Sequence, residues 1–406
     1  MTVFNRKSIG LWRFGAAVLI GAGAGGPALA QELSFGGSVS LEVRGFADRP
    51  AYAGQSDATQ TSLSFEPEID WQSDDGNHKL SFHGFIREDS MDSARSHRDV
   101  REAYYRYSNG DWDIVAGVNR VFWGVTESRH LVNVINQVDA VEDTDGEDFL
   151  GQLMLQVGRE TSVGRFDLFV LPGLRERKFP STAGRLRVAL PVDTDGATYQ
   201  SSDGADHVDM ALRYSHYIGD VDIGFHLFHG TSREPNLTLN GAGTALVPHY
   251  PIISQAGIDL QYTTESFLWK LEALVREGQG TTFGAAVAGF EYTLYQLGGS
   301  NLDLGLIAEI AYDDRDASVF PTIFDQDLFL AGRLALNDTG DTSILAGVLV
   351  DRDTGPTSLR IEAERRLGDN WSVEAVGQVF LQDDPSDPAQ AFEKDSHLSF
   401  QITRHF

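Results

Sequence analysis

The last eleven residues, Ser396 to Phe406, alternate apolar and polar side chains almost to the final atom. Leu398, Phe400, Ile402 and Phe406 fall on one face at a period of two. Ser399, Gln401, Thr403 and His405 fall on the other, and only Arg404 breaks the apolar side. Chain ends ordinarily fray. A terminal strand this regular makes sense if it pairs with the first strand and closes a barrel. In hydrocarbon a sheet must close in that way, because no backbone group can be left unpaired there.

The same period runs through the chain. Residues 61–71 set Leu63, Phe65, Pro67, Ile69 and Trp71 against Ser64, Glu66, Glu68 and Asp70. Residues 267–276 set Phe267, Trp269, Leu271, Ala273 and Val275 against Lys270, Glu272 and Arg276. About eighteen such segments can be counted, each near the ~10 residues that a tilted strand needs to cross a bilayer. Merging one weak hairpin, residues 99–120 or 149–171, gives sixteen. Hydrophobic residues make up 41% of the chain, yet mean hydropathy is −0.22, which interleaving explains and segregated blocks do not. A water-facing sandwich alternates too. Charges in the interior of strand after strand, opposite a nearly pure apolar face, favour a sheet wrapped around water.

The other end of the chain reads as an address. Arg6, Lys7 and Arg13 precede the apolar stretch Phe14 to Ala24, and Ala28-Leu29-Ala30 is a small-residue cleavage signature before Gln31. Residues 1–30 are expected to be a secretory signal peptide. Their removal takes three cations and no acid, so the formal charge moves from −27 to −30. That excess argues against nucleic acid as a partner. Cysteine is absent, so stability must come from packing and backbone pairing.

Connections between the segments alternate in length. Short ones, rich in Gly, Asn and Asp, fall at Asp74–Asn77, Asn109-Gly110, Thr161–Gly164, Gly219, Thr264–Ser266, Asn337–Asp341 and Gly368–Asn370. Long ones fall at Arg49–Ala58, Asp89–Arg98, Gly124–Asp148, Leu174–Ala205, Thr231–Ile252, Asp314–Ile323 and Gln382–Asp395, with brief exceptions near Gly278–Gly280 and Asp353–Pro356. The expected fold is an all-β, transmembrane, antiparallel up-and-down β-barrel over residues 31–406, with about eighteen strands.

In its C-terminal Phe406 and its loop layout the chain resembles the Gram-negative outer-membrane β-barrels, and general porins in architecture. The resemblance implies residence in the outer membrane of a Gram-negative bacterium, among lipid and lipopolysaccharide. It also implies that the barrel-assembly machinery reads the last strand, and that the third outer loop folds into the lumen. A homotrimer stays open, since lipid-facing and protein-facing apolar residues look alike.

Residues 120–148 occupy that third-loop position and are the segment expected to carry function. An exposed loop has little use for Phe122, Trp123, Val125, Leu131, Val132, Val134 and Ile135, so this half should pack against something. The second half is acidic, and carboxylates are costly to bury unless they are hydrated or meet cations. A loop laid against the inner wall satisfies both demands. The candidate constriction residues are Trp123, Glu127, Arg129, Asp139, Glu142, Asp143, Asp145, Glu147 and Asp148. By strand parity the facing wall cations are Arg44, Lys79, Arg87, Arg106, Arg213, Arg333 and Arg360, with Lys270, Arg276 and Arg366 besides. The plainer reading pairs these cations with strand acids such as Glu66, Glu102, Glu272, Glu291, Glu309, Glu362 and Glu374 as a structural lining.

The acid clusters Asp139–Asp148, Asp313–Asp316, Asp351–Asp353 and Asp383-Asp384 lack the spacing of a calcium loop and read as solvated acids. No metal and no cofactor is expected. A G-x-G-x-x-G match at Gly21, Gly23 and Gly26 lies inside the leader and carries nothing, and no nucleophile motif occurs. The leading expectation is a passive channel for small hydrophilic solutes, with no enzymatic activity. The alternative is a structural or export barrel that sleeves a periplasmic partner or passes a polymer.

Overall fold

A computed structural model describes residues 32–319 and 321–406; the expected signal peptide lies outside the described residues. Twenty-one strands occur among the described residues, numbered in chain order. The first seven are β1 (Glu32–Phe46), β2 (Gln60–Gln72), β3 (His78–Asp89), β4 (His97–Ser108), β5 (Trp112–Asn119), β6 (Gln152–Thr161) and β7 (Gly164–Pro172). There follow β8 (Thr198–Tyr199), β9 (Val208–Ile218), β10 (Val221–Thr231), β11 (Asn236–Leu239), β12 (Leu246–Tyr250), β13 (Ile252–Thr263) and β14 (Phe267–Glu277). The last are β15 (Phe283–Leu294), β16 (Asp303–Asp313), β17 (Asp327–Ala335), β18 (Ser343–Asp351), β19 (Gly355–Leu367), β20 (Trp371–Phe380) and β21 (His397–His405).

Eighteen of these form one antiparallel sheet in which each strand pairs with the next and β1 pairs with β21. Only β8, β11 and β12 stand outside it, as a small sheet among the loops. The sheet is therefore a closed barrel of eighteen strands, not sixteen. There is no α-helix among the described residues.

Which face touches what is settled by exposure. Outward side chains are apolar and uncovered: Met210 is 54% exposed, Leu227 56%, Val275 55% and Leu398 64%. Polar side chains of the opposite register, Ser62, Ser64, Asp209, Glu272 and Glu309, are all at most 2% exposed. Stacked sheets would bury the first set, whereas a barrel in lipid leaves it outside. Trp71, Trp112, Tyr214, Tyr262 and Trp371 all lie toward the short-turn ends of their strands, so they mark one interfacial rim rather than two.

The seam explains the regular C-terminus. Ser38 to Phe46 pair with His405 to His397, and Ser40 Oγ meets Thr403 Oγ1 at 2.9 Å across the join. Phe406 donates its backbone N–H to the Gly37 carbonyl at 3.1 Å and stacks on Phe65. A Cβ at Gly37, whose φ is +148°, would lie 2.3 Å from the Glu66 carbonyl and 3.0 Å from the Phe406 ring. Arg404, the apparent defect in the apolar face, lies over the Trp371 ring and donates to the His405 carbonyl at the rim.

Candidate functional site

Residues 120–151 join β5 to β6 and form the longest connection without a strand of its own. The base is closed by two asparagines. Asn133 Oδ1 accepts the Trp123 and Gly124 N–H groups at 2.7 and 3.1 Å, and Asn136 bridges Val121, Asn119 and Leu150. From this base the apolar half packs on the inner wall. Trp123, Val132, Val134 and Ile135 form one buried cluster with Met154, Phe169, Leu171, Ala211, Phe228 and Ile253 from β6, β7, β9, β10 and β13. Leu131 joins a second cluster with Leu274, Phe283, Ala285, Val287 and Ala311. The inner face is thus apolar along one arc, which corrects the expectation of a uniformly polar lumen.

The tip is held by two wall carboxylates that act as acceptors for backbone N–H groups. Glu272 Oε1 on β14 accepts from Val125 N at 2.6 Å, Thr126 N at 3.0 Å and Thr126 Oγ1 at 2.7 Å, and its Oε2 accepts from Val132 N at 3.1 Å. Glu309 on β16 accepts from Glu127 N and Ser128 N, both at 2.8 Å, and from Ser128 Oγ at 2.7 Å. Glu127 itself reaches Arg333 on β17 at 2.7 Å and Lys270 at 3.6 Å. Burial alone would raise the Glu127 carboxyl, but Arg333 and Lys270 outweigh it and hold it below the usual range. Arg129 pairs with Asp313 at 3.2 Å. Burial disfavours a charged His130, but Glu272 beside it raises its proton affinity above the ordinary value.

The acidic half returns along the opposite arc. Asp139 Oδ2 accepts from Arg101 at 2.6 Å and lies 3.0 Å from His97 Nε2. Glu142 meets Arg87 at 2.7 Å, and Arg95 donates to the Val141 and Glu142 carbonyls while it pairs with Glu42 at 2.7 Å. Burial opposes ionisation of Asp139, yet the His97 and Arg101 contacts keep its carboxyl depressed. Asp143 and Asp145 both lie 3.3 Å from Arg360 on β19, Glu147 lies 4.0 Å from His130, and the Asp148 carbonyl accepts the Asp139 N–H at 2.7 Å. The loop touches β4 at one end and β16 at its tip. These stand nine positions apart in a ring of eighteen, so the loop crosses the whole bore.

The wall cations divide. Arg87, Arg333 and Arg360 meet loop acids, and the Arg213 guanidinium lies 4.8 Å from the Trp123 ring centre while pairing with Asp259. Arg44 pairs with Glu42, and Arg276 with Glu234. Arg106 is placed otherwise than expected: it grips Asp113 at 2.6 and 2.7 Å toward the short-turn end, away from the loop acids. Lys79 on Asp70 and Arg366 on Asp341 lie at that same end.

Two contributors, Arg101 and Arg95, escaped the parity argument, and two acids that it placed on the wall, Glu272 and Glu309, have another role than expected. Arg101 is the extra residue of a β-bulge opposite His83 and Gly84, so it points inward beside Glu102 although alternation counted from Glu102 and Arg106 turns it outward. Arg95 lies in a connection where no period applies. Glu272 and Glu309 were read as partners of arginine, yet their cross-strand neighbours are Asp259 and Val287, and Gly289 and Phe329. A wall acid with no cation directly across from it on either neighbouring strand was the available signal for a loop acceptor.

A second connection crosses above. Arg185, between β7 and β9, donates to Asp395 Oδ1 at 2.8 Å and to the Asp48 carbonyl at 3.0 Å, and Arg187 donates to the Ala53 carbonyl at 3.0 Å.

Comparison with known proteins rests on structure. No protein-family model matches the chain, and no curated protein matches it. A BenF-like porin from Pseudomonas fluorescens Pf-5 superposes with a TM-score of 0.55 at 8% identity, covering 93% of this chain and 98% of that one. Pseudomonas aeruginosa OccK2 (OpdF), solved in complex with glucuronate, gives 0.54 at 11% identity over 93% and 96%. Escherichia coli Wzi, an outer-membrane carbohydrate-binding β-barrel involved in group 1 capsule assembly, gives 0.52 at 8% identity over 90% and 83%. Identities this low speak for the fold alone. The fold, a closed eighteen-stranded antiparallel β-barrel, is similar to that of outer-membrane porins.

Proposed function

We propose that the protein is an outer-membrane porin through which small hydrophilic solutes diffuse passively, with residues 120–151 as its constriction. The observation that carries this reading is the path of the loop across the bore. Its acids sit opposite arginines of β3, β17 and β19, an arrangement that sets a transverse field across any water left beside it. Size is selected by the loop, and charge by the Asp143–Asp145–Arg360 and Glu127–Arg333 clusters. One fold neighbour was solved with glucuronate and another binds carbohydrate, so sugars and sugar acids are the first solutes to test. No energy source or cofactor enters. The test is single-channel conductance of the purified protein in a planar bilayer, with the reversal potential in a salt gradient. Discrete open-channel steps are expected, and a silent bilayer at verified insertion overturns the channel reading.

The strap through Arg185 and Arg187 is the observation that favours the second reading, a barrel shut at its mouth that serves as a sleeve or exporter. Release of conductance by Arg185→Ala, in a protein otherwise silent and recovered with a periplasmic partner, would support it.

A further inference from the structure

Two clusters of acids lie close enough to hold a cation, and they differ in what already neutralises them. His97, Asp139 and Glu142 bring one ligand atom each within 4.8 Å of one another, but Arg101 and Arg87 occupy that site with buried guanidinium groups. Asp325, Asp327 and Asp351 meet the same 4.8 Å limit at the long-loop rim. Among the described residues none of these three acids forms an ion pair with a Lys or Arg. Asp327 opens β17 and sits directly across from Asp351, the last residue of β18. Its side chain is fully buried, and neither carboxylate oxygen has a hydrogen-bond partner among the described residues. The nearby arginines, Arg129 and Arg315, are both committed to Asp313 at 3.2 and 2.6 Å.

An isolated buried carboxylate is costly, and two further carboxylates beside it raise the cost. The remaining geometry is that of a held cup. Asp351 Oδ1 accepts the Asp353 and Thr354 N–H groups at 2.7 and 2.6 Å, which fixes the tight turn to β19. Asp325 Oδ1 accepts the Gln326 N–H at 2.7 Å. The Asp325 and Asp351 carboxyls lie within hydrogen-bond reach of each other, and both Asp327 oxygens beside them have no partner among the described residues. The donor set is all oxygen, with no nitrogen or sulfur. It suits a hard cation of flexible coordination, and water can fill the remaining positions.

We propose that Asp325, Asp327 and Asp351 bind one Ca²⁺ ion, which ties the start of β17 to the β18–β19 turn at the outer rim. The site replaces the reading of Asp351–Asp353 as merely solvated acids, and it does not depend on conduction. Its affinity belongs with modules that face the outside of a cell, on the order of 10⁻⁴–10⁻³ M.

The test uses the full mature chain refolded in detergent free of lipopolysaccharide, stripped with EDTA, and titrated with CaCl₂ by equilibrium dialysis against ⁴⁵Ca²⁺. One saturable ion per chain is expected, with Mg²⁺ competing at least tenfold more weakly. Asp327→Asn should weaken binding at least tenfold while the heat-modifiable barrel band on a gel is retained. Asp351→Asn is the second variant, should the first fail to refold. Saturable binding unchanged in a folded Asp327→Asn or Asp351→Asn protein overturns the assignment. So does the absence of saturable binding up to about 10 mM, roughly ten times the weakest affinity expected.

Discussion

Two arcs of the inner wall hold the same loop by different physics. From β6 to β13 the wall offers Met154, Phe169, Leu171, Ala211, Phe228 and Ile253, and receives Trp123, Val132, Val134 and Ile135. Across β1, β3 and β4 it offers Glu42, Arg87 and Arg101, and receives Asp139 and Glu142. Apolar burial stabilises by roughly 1.5–3 kcal/mol per large side chain and has no required geometry beyond fit. Buried ion pairs return most of their Coulomb energy as desolvation cost, so they add little net stability but penalise any misplacement. The first arc supplies the holding energy. The second sets where the acids stop.

The largest effects should separate the two arcs. Trp123→Ala removes the centre of the apolar cluster and should cost about 3–5 kcal/mol, read as a shift in the urea midpoint of the refolded barrel. Arg101→Met leaves Asp139 buried without its cation and should cost a similar ~3–5 kcal/mol. The doubles should then diverge. Arg101→Met with Asp139→Leu should recover most of the loss, since replacing both partners of a buried pair is nearly neutral. No comparable rescue exists for Trp123→Ala. Failure of the charged double to recover would show that the second arc also carries net energy.

Next in size is the tip. Glu272→Ala removes the acceptor of three backbone N–H groups and one hydroxyl. Each donor left dry costs roughly 1–3 kcal/mol, but a freed tip can reach water, so the loss should stay near the low end of that range. The sharper readout is conductance, which should rise as the tip leaves the wall. An unchanged step size would place the current path elsewhere.

Acidity probes the tip and the charged arc together. The depressed Glu127 and Asp139 carboxyls contribute stability that is fully present above their ordinary values of 4.5 and 3.8, and is lost as pH falls through their lower folded values. His130, raised above 6.5, contributes stability that is present below 6.5 and lost as pH rises through its folded value. Loop attachment, followed as protection of residues 120–151 from protease, should therefore be greatest between about pH 4.5 and 6.5. His130→Gln should flatten the alkaline side and leave the acid side in place.

Much of this was legible in the residues. Period two, with a nearly pure apolar face, pointed to the barrel and to about eighteen strands, with sixteen left open until the pairing decided it, and the run of connection lengths located the third loop. Two-faced strands also left a trace. In β7 the outward Phe166 and Leu168 are joined by the inward Phe169 and Leu171, so the alternation fails where the loop packs. Other features left none. Arg101 faces inward beside Glu102 because of a bulge, and a bulge breaks the alternation at a point that the pairing with the neighbouring strand reveals. Arg106 and Arg87 both read as inward on their own strands, yet lie toward opposite ends of the barrel. Parity gives the face of a strand and not the partner at its height.

The smallest effect is expected at Arg360, and it sharpens the comparison most. Its side chain is 20% exposed, and it meets Asp143 and Asp145 at 3.3 Å and Glu362 at 3.2 Å, all longer than the Arg101–Asp139 contact at 2.6 Å. Water shares this cluster, so Arg360→Gln should cost no more than about 1 kcal/mol. The loop should therefore stay where it is. What changes is the charge beside the water path: one cation fewer among three acids moves selectivity toward cations, seen as a shift in reversal potential at unchanged urea midpoint. A stability loss as large as that of Arg101→Met would mean that Arg360 belongs to the buried arc. A reversal potential that does not move would mean that permeating ions do not pass it.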